Sequence, residues 1–276
     1  MTVRLTILGC GSSAGVPRVG QGWGACDPSN PKNRRRRCSA LVERFGPGGA
    51  TTVLIDTSPD LREQLIAAGV QRLDGVLLSH PHADHTHGID DLRPLCLMMG
   101  RRIDVHMDEA TSLIVRRAFS YVFETPGGSS YPAIATDLRL TAGRPCRIEG
   151  AGGAIEALPF DLDHGDIGAL GFRFGSLAYT PDVKRVPAAS RPFLEGLDTW
   201  IIDALRYRPH PSHFSVDDAL GWIETMRPRR AILTNLHTDL DYETLRARLP
   251  AHVTPAYDGM RVEEDDATRV DGGEFQ

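Results

Sequence analysis

The stretch "LLSHPHADHTHG", residues 77–88, sets four histidines and one aspartate within twelve positions. Imidazole and carboxylate are ligands for zinc, manganese or iron, so H-x-H-x-D-H at His80, His82, Asp84 and His85 can serve a metal centre. The competing reading is a polar surface turn that is rich in histidine. His80 ends the apolar run "DGVLLSH" and His82 follows at i+2, so in extended backbone both rings face one side. Asp84 and His85 fall on the turn into "GIDDLRPLCLMM", a helical pattern. Spacing and strand context together favour the metal over the surface turn.

One motif cannot close two metal sites, so further ligands are sought where other apolar runs end, the place where α/β folds put their chemistry. His164 in "FDLDHGD", Asp182 in "YTPDV" and His237 in "LTNLHTD" meet that condition. Asp56 ends "TTVLID" and Asp203 ends "TWIID". A carboxylate at the end of an apolar strand is costly without a partner, so both are expected to hydrogen-bond the ligand histidines or their loops. His87 reads as a loop residue, and His106 and His252 as surface or satisfied core residues. Asp90 and Asp91 read as acidic residues favoured by the start of a helix.

The elements that must carry these residues are short. Aliphatic and β-branched runs at 3–8, 51–56, 75–79, 103–106, 170–175, 177–180, 199–204 and 230–235 read as strands. "LGFRFGSLAYT" reads as a hairpin turning at Gly175-Ser176. Between the strands lie helical patterns: "SPDLREQLIAAG" with Ser58 as N-cap and Gly69 as stop, "DEATSLIVRRAFSYVF", and "SVDDALGWIETMRP" with Ser215 as N-cap. Strands mixed with helices predict a layered α/β protein with its helices outside the sheets. The Gly- and Pro-rich stretches at 10–32, 126–132 and 149–153 are too short and too little polar for linkers, so residues 1–276 are read as one domain.

The chain has 276 residues, 41% hydrophobic and 24% charged, enough for a sizeable core. Its net charge of -5 argues against a generally basic nucleic-acid surface. No apolar run approaches the roughly 20 residues of a membrane span, and the N-terminus reads as a first strand, not a secretory signal. Five scattered cysteines do not suggest a disulfide framework, so a reducing, cytoplasmic setting is expected. Cys10 and Cys96 fall in apolar stretches and are expected to pack as small hydrophobes.

"SHPHADHTHG" resembles the H-x-H-x-D-H signature of the metallo-β-lactamase superfamily. "LGCGSSAGVP", "LIDTSPDLR", "HGIDDLRPL", "YTPD" and the closing "YDGM" extend the likeness over nearly the whole chain and resemble the PhnP-type phosphodiesterase branch, itself close to tRNase Z. The resemblance implies an αβ/βα four-layer sandwich, two mixed sheets flanked by helices, with a dinuclear site at one edge. It gives His80, His82 and His164 to a first divalent metal, Asp84 and His85 to a second, and Asp182 as the bridge. Many relatives have a histidine directly after the Thr of the last strand, where this chain has Asn235. His237, two residues on and on the same face of an extended segment, is then the expected last ligand, with Asn235 the alternative. Some PhnP-like enzymes hold a structural zinc in a C-x-C-x2-C loop. Here the matching loop has only Cys26 and Cys38, so no structural zinc is expected.

The implied cofactors are two ions, Zn2+ or Mn2+, sharing a hydroxide that serves as nucleophile. "HPSHFSVDDALGW" resembles the histidine loop that such enzymes turn towards the scissile phosphate, which makes His213 a phosphate-binding or general-acid residue and puts His210 behind it. His213 and Asp84 are the catalytic assignments. The expected activity is hydrolysis of a small cyclic or nucleotide-like phosphodiester. The alternatives are a tRNase Z-like ribonuclease, a lactone or thioester hydrolase, and a non-catalytic metal- or nucleotide-binding module. With no clear arm for gripping tRNA and an acidic balance, a nucleic-acid partner is disfavoured. No membrane partner is expected, and a homodimer is compatible with the sequence. The run Arg34–Arg37 reads either as cations for phosphate or, more commonly, as a solvated basic loop.

Overall fold

Alternate residues of a strand point to opposite faces, and in this protein both faces are covered. The structure is a computed structural model and describes residues 2–265. One mixed sheet contains β1 (Thr2–Gly9), β2 (Ser39–Gly46), β3 (Gly49–Ile55), β4 (Gly75–Leu77), β5 (Ile103–Met107) and β6 (Ala135–Arg139). The other contains β7 (Cys146–Ile148), β8 (Ile155–His164), β9 (Ile167–Phe174), β10 (Leu177–Thr180), β11 (Thr199–Asp203), β12 (Arg230–Thr234) and β13 (Val253–Pro255). The chain then returns to the first sheet as β14 (Arg261–Asp265), giving the orders β14-β1-β2-β3-β4-β5-β6 and β13-β12-β11-β10-β9-β8-β7. Each sheet is antiparallel on one side and becomes parallel after β3 and β10 respectively.

Three apolar clusters make four layers. Leu5, Ile7, Val53, Ile55, Leu77, Phe172, Ile201 and Ile232 meet between the sheets. Their strand neighbours Leu54 and Val76 turn the other way and pack with Leu61, Leu65 and Val115 of the helices over the first sheet. Trp200, Ile202, Ala231 and Leu233 likewise turn outward, onto Ala219 and Ile223. A strand buried on both faces reads as a continuous apolar run, which is why these strands are visible in the sequence. β2 and β8 are not: Glu43 and Arg44 interrupt the first, and Pro159, Asp161 and Asp163 the second.

The helices are α1 (Leu61–Ala68), α2 (Ala83–Thr86), α3 (Arg93–Met99), α4 (Glu109–Ala118), α5 (Ser120–Phe123), α6 (Val216–Met226) and α7 (Tyr242–Arg246). Gly69 stops α1 in the left-handed conformation, as expected, but the N-cap is Asp60 and not Ser58. The Ser58 hydroxyl instead donates to Gln64 and accepts from the Asp60 N–H, so the helix starts two residues later. The pattern at 108–123 is two helices, broken at Phe119, whose φ of -130° is not helical. Ser215 caps α6 in a reciprocal box with Asp218. The turn at Gly175-Ser176 joins β9 to β10 as an antiparallel hairpin. Among the described residues no helix is long and apolar enough to cross a membrane.

Candidate metal centre

Six strand ends open on one edge of the sandwich: β3 at Asp56, β4 at Ser79-His80, β8 at His164, β10 just before Asp182, β11 at Asp203 and β12 just before Asn235. His80 and His82 follow β4, and the chain turns helical only after His82, which is extended with ψ 151°. His80 Nε2 and His82 Nδ1 lie 3.1 Å apart, and His164 Nε2 is 3.2 Å from the same His82 nitrogen. Asp182 Oδ2 completes the group, 3.7 Å from His80 Nε2 and 3.4 Å from His164 Nε2. All four ligand atoms fall within 4.8 Å of one another. Those separations fit ligand atoms placed about 2.0–2.2 Å from one central ion, the zinc–nitrogen and zinc–oxygen distance.

Asp182 faces a second group with its other oxygen. Oδ1 is 3.3 Å from His85 Nε2, and Asp84 Oδ2 is 3.5 Å from the same nitrogen. That nitrogen is buried and makes no hydrogen bond. A buried imidazole nitrogen left without a partner, between two carboxylates, is where a cation fits.

The rings are held from behind. His80 Nδ1 is 3.0 Å from the Ser79 hydroxyl, His164 Nδ1 is 2.6 Å from the Ser212 carbonyl, and His85 Nδ1 is 2.7 Å from Asp56 Oδ2. Each bond leaves Nε2 turned inward, the arrangement that orients ligand imidazoles. Asp56 does more than the strand-end reading required: it also accepts from the backbone and hydroxyl of Ser79. Its φ of +61° turns the chain out of β3, a conformation Asp and Asn tolerate better than most residues. Gly165, at φ +81°, lets the β8–β9 turn meet the His213 loop, since a Cβ there would stand 2.9 Å from the Ser212 Cβ.

Burial lowers His80 well below the usual imidazole range, helped by the neighbouring His85 charge, and lowers His164. Burial opposes charge on His85 too, but the Asp182, Asp56 and Asp84 carboxylates outweigh it and raise that ring. For Asp182 burial acts upward, yet His85, His213 and His80 hold its carboxyl well below the usual range. His80 and His164 thus favour the neutral form and Asp182 the ionised form, the forms that bind metal.

His213 stands beside this group. Its ring centroid is 4.6 Å from that of His164, and Nδ1 is 2.9 Å from Asp203 Oδ2. Asp203 therefore orients His213 and not one of the clustered imidazoles, and it also accepts from the Val183 N–H. Burial opposes the charged ring, but Asp203 and Asp182 push His213 up to about 9, while burial pushes Asp203 itself up to about 6. His210 is a neighbour at 5.1 Å between centroids, bonded to Ser212, and burial lowers it to about 4.

His237 is placed differently from the expectation. Extended backbone through residues 235–237 would set His237 on the same face as Asn235, but Asn235 has φ +61°, so the two-residue rule fails there. The His237 N–H bonds the Leu205 carbonyl, and the ring faces Arg18 Nη1 at 2.5 Å and Asp239 Oδ1 at 3.0 Å. It is absent from the group of His80, His82, His164 and Asp182. Asn235 is the residue that reaches the site, where its amide nitrogen donates to Asp182 Oδ1 and the Pro181 carbonyl and lies 3.2 Å from His213 Nδ1. The amide acts as a clamp on Asp182. Neither this nor the Ser79 and Ser212 supports follow from sequence, although Ser79 directly precedes the motif.

In the Arg34–Arg37 run Arg34 is exposed, while the other three are engaged by the fold. Arg35 is 2% exposed and bonds the carbonyls of His237 and Leu240 and the Asn33 amide oxygen. Arg36 pairs with Asp258 and Arg37 with Asp60. Cys26 lies under the Arg35 guanidinium at 3.8 Å. Cys10 and Cys96 are buried among apolar side chains, as expected. His106 is buried against Cys146, and His87 stacks edge-on with Phe119.

A model of the beta-lactamase superfamily domain matches residues 51–235. A diphosphatase from the PhnP family is similar in structure, with TM-score 0.85 and 34% identity over 96% of this chain and 98% of its own. Among curated relatives, an octanoyltransferase of Porphyromonas gingivalis is 33% identical over 262 residues, 94% of this chain and 51% of the relative. A ribonuclease Z of a Bradyrhizobium strain is 31% identical over 155 residues, 54% of this chain and 48% of the relative. The chain spans about half the length of these curated relatives.

Proposed function

The chain belongs to the beta-lactamase superfamily, in its PhnP-like branch, and from that premise we propose that it hydrolyses small phosphodiesters, cyclic or nucleotide-like, with two divalent ions, zinc or manganese. The observation that carries this reading is Asp182, one oxygen towards His80 and His164 and the other towards His85. His80, His82, His164 and Asp182 would hold one ion, and Asp84, His85 and Asp182 the other. Bound there, such ions activate water as a nucleophile and neutralise charge on phosphoryl oxygens.

The chain's own groups do the rest. Ser79, Asp56 and the Ser212 carbonyl aim the imidazoles, and Asn235 fixes Asp182. Asp203 holds Nδ1 of His213, which leaves Nε2 to bind the phosphate or protonate the leaving oxygen. A small substrate is favoured over RNA because Arg35, Arg36 and Arg37 are spent inside the fold. The likeness to ribonuclease Z keeps RNA hydrolysis as the second reading.

The test is hydrolysis of bis-p-nitrophenyl phosphate by protein loaded with manganese or zinc, run beside a lactone, a thioester and a precursor tRNA. Phosphodiester turnover that disappears with chelator supports the reading. Turnover of only the lactone or thioester overturns it in favour of acyl chemistry, tRNA cleavage alone favours the ribonuclease, and metal binding without ester turnover favours a binding module.

A further inference from the structure

We infer that the two metal positions are unequal and that Asn235 makes them so. The position of His80, His82, His164 and Asp182 keeps its ion. The position of Asp84, His85 and Asp182 is an exchangeable one that admits manganese as well as zinc. This rests on the two-ion reading for the presence of both ions, and on no substrate. Three observations carry it.

The first is the donor set. The first position gathers three imidazole nitrogens and one carboxylate oxygen, all within 4.8 Å of one another. The second has a single imidazole nitrogen, His85 Nε2, with Asp182 Oδ1 at 3.3 Å and Asp84 Oδ2 at 3.5 Å. Neither Asp84 nor His85 belongs to the close group. Imidazoles suit zinc, whereas an oxygen-rich set completed by water also suits manganese.

The second is the face that Asn235 presents. Its amide nitrogen stands 3.2 Å from Asp182 Oδ1 and 3.3 Å from the Pro181 carbonyl oxygen. Both are acceptors, so the NH2 group must point at them; the turned amide would set oxygen against oxygen twice. An amide NH2 has only donors to offer and cannot ligate a cation. It also occupies the carboxylate oxygen that faces His85, the one an ion at the second position needs. Asn235 thus brings a donor to the place where a fourth ligand would bring a lone pair.

The third is that the loop is fixed in this arrangement. Asn235 is buried, and after it the Leu236 N–H bonds the Cys10 carbonyl and the His237 N–H the Leu205 carbonyl. The His237 ring is engaged by Arg18 and Asp239. Neither residue 235 nor residue 237 therefore completes the second position.

The test is zinc titration of chelator-stripped protein, with metal content read by elemental analysis. The wild type should bind zinc in two steps at least about a hundredfold apart in Kd. One equivalent should survive gel filtration in metal-free buffer. Manganese added to that one-zinc form should bind as one further equivalent, read from the loss of the free-ion signal in electron paramagnetic resonance. Asp84→Asn should abolish the second step and keep the first. Asn235→Asp keeps a side chain that tolerates the left-handed backbone and puts a carboxylate oxygen where the NH2 was. It should tighten the second step at least about tenfold, as added ligand charge does, so that two equivalents survive gel filtration. Two ions held equally in the wild type, or a second step unmoved in Asn235→Asp, would overturn the inference and leave the two-ion reading intact. Binding of a single ion in wild type and Asn235→Asp alike would overturn both. Unequal steps in a protein that turns over no phosphodiester would sink the proposed reaction and leave the inference standing.

Discussion

His213 joins three facts that bear on its role: Asp203 fixes Nδ1, its ring sits against that of His164, and it is not among the clustered ligand atoms. Removing it should slow chemistry without emptying the site. We expect His213→Ala to keep its metal content and to lose about 10²- to 10⁴-fold in rate on phosphodiesters with poor leaving groups. The loss on bis-p-nitrophenyl phosphate should be smaller, because p-nitrophenolate departs with little help. Equal losses on both substrates would assign His213 to phosphate positioning, and unchanged kinetics would remove it from the site. The contrast with His237 is instructive. Both are histidines in loops after apolar strands, but Asp203 holds His213 beside His164 while the turn at Asn235 leads His237 to Arg18.

At the scale of elements, the loop before β2 is held by charge where a metal clip was considered. Arg35 ties residues 33–35 to the carbonyls at 237 and 240, with Cys26 beneath it. Cys26→Ser should therefore leave metal content unchanged by elemental analysis; loss of a full equivalent of zinc would reveal a second site. Arg35→Ala should lower stability to denaturant by about 2–4 kcal/mol, since it leaves buried carbonyls unpaired. Asp241 supports the same region by capping α7 and accepting from the Asn33 amide. Burial acts upward on its carboxyl, but the bonds from Thr244, Asn33 and Asp27 prevail and hold it at about 2. A folded-state value below the unfolded one means a contribution present above about pH 4 and lost as pH falls through about 2. Asp241→Ala should cost about 1 kcal/mol at pH 7, and the gap from wild type should close near pH 2 in acid unfolding followed by circular dichroism. A gap that persists unchanged at that pH would mean the loss has another cause.

For the whole molecule, the site is the seam between two sheets. The first supplies Asp56, His80, His82, Asp84 and His85, and the second supplies His164, Asp182, Asp203 and Asn235. Ions bound there would link the sheets and stabilise only the folded state, by about 2.7 kcal/mol when the free ion is at a hundredfold its Kd. Chelation should lower the melting temperature in calorimetry, and zinc or manganese should restore it. His80→Ala should blunt that response. A melting temperature indifferent to chelator and to added metal would contradict a metal at the seam.

Residue type and spacing determined the local chemistry. The H-x-H-x-D-H run needs only short-range geometry, a converging pair of rings followed by a turn, and the structure supplies both. Apolar runs buried on both faces marked most of the parallel strands, and their ends marked Asp182, Asp56 and Asp203. Tertiary structure decided what depends on how distant strand ends meet. The left-handed turn at Asn235 sent His237 to Arg18 and put an amide on Asp182. Alternation along 33–37 buried Asn33 and Arg35, a burial that composition alone reads as solvated charge. β2 and β8 stayed hidden because their polar residues are satisfied by partners far along the chain, as when Arg185 pairs with Asp163 and Arg44 donates to the Ala154 carbonyl. A local pattern carries what one turn or strand can decide. The left-handed dihedral at Asn235, which the rest of the fold sets, puts an amide on Asp182 and leaves His237 outside the ligand group.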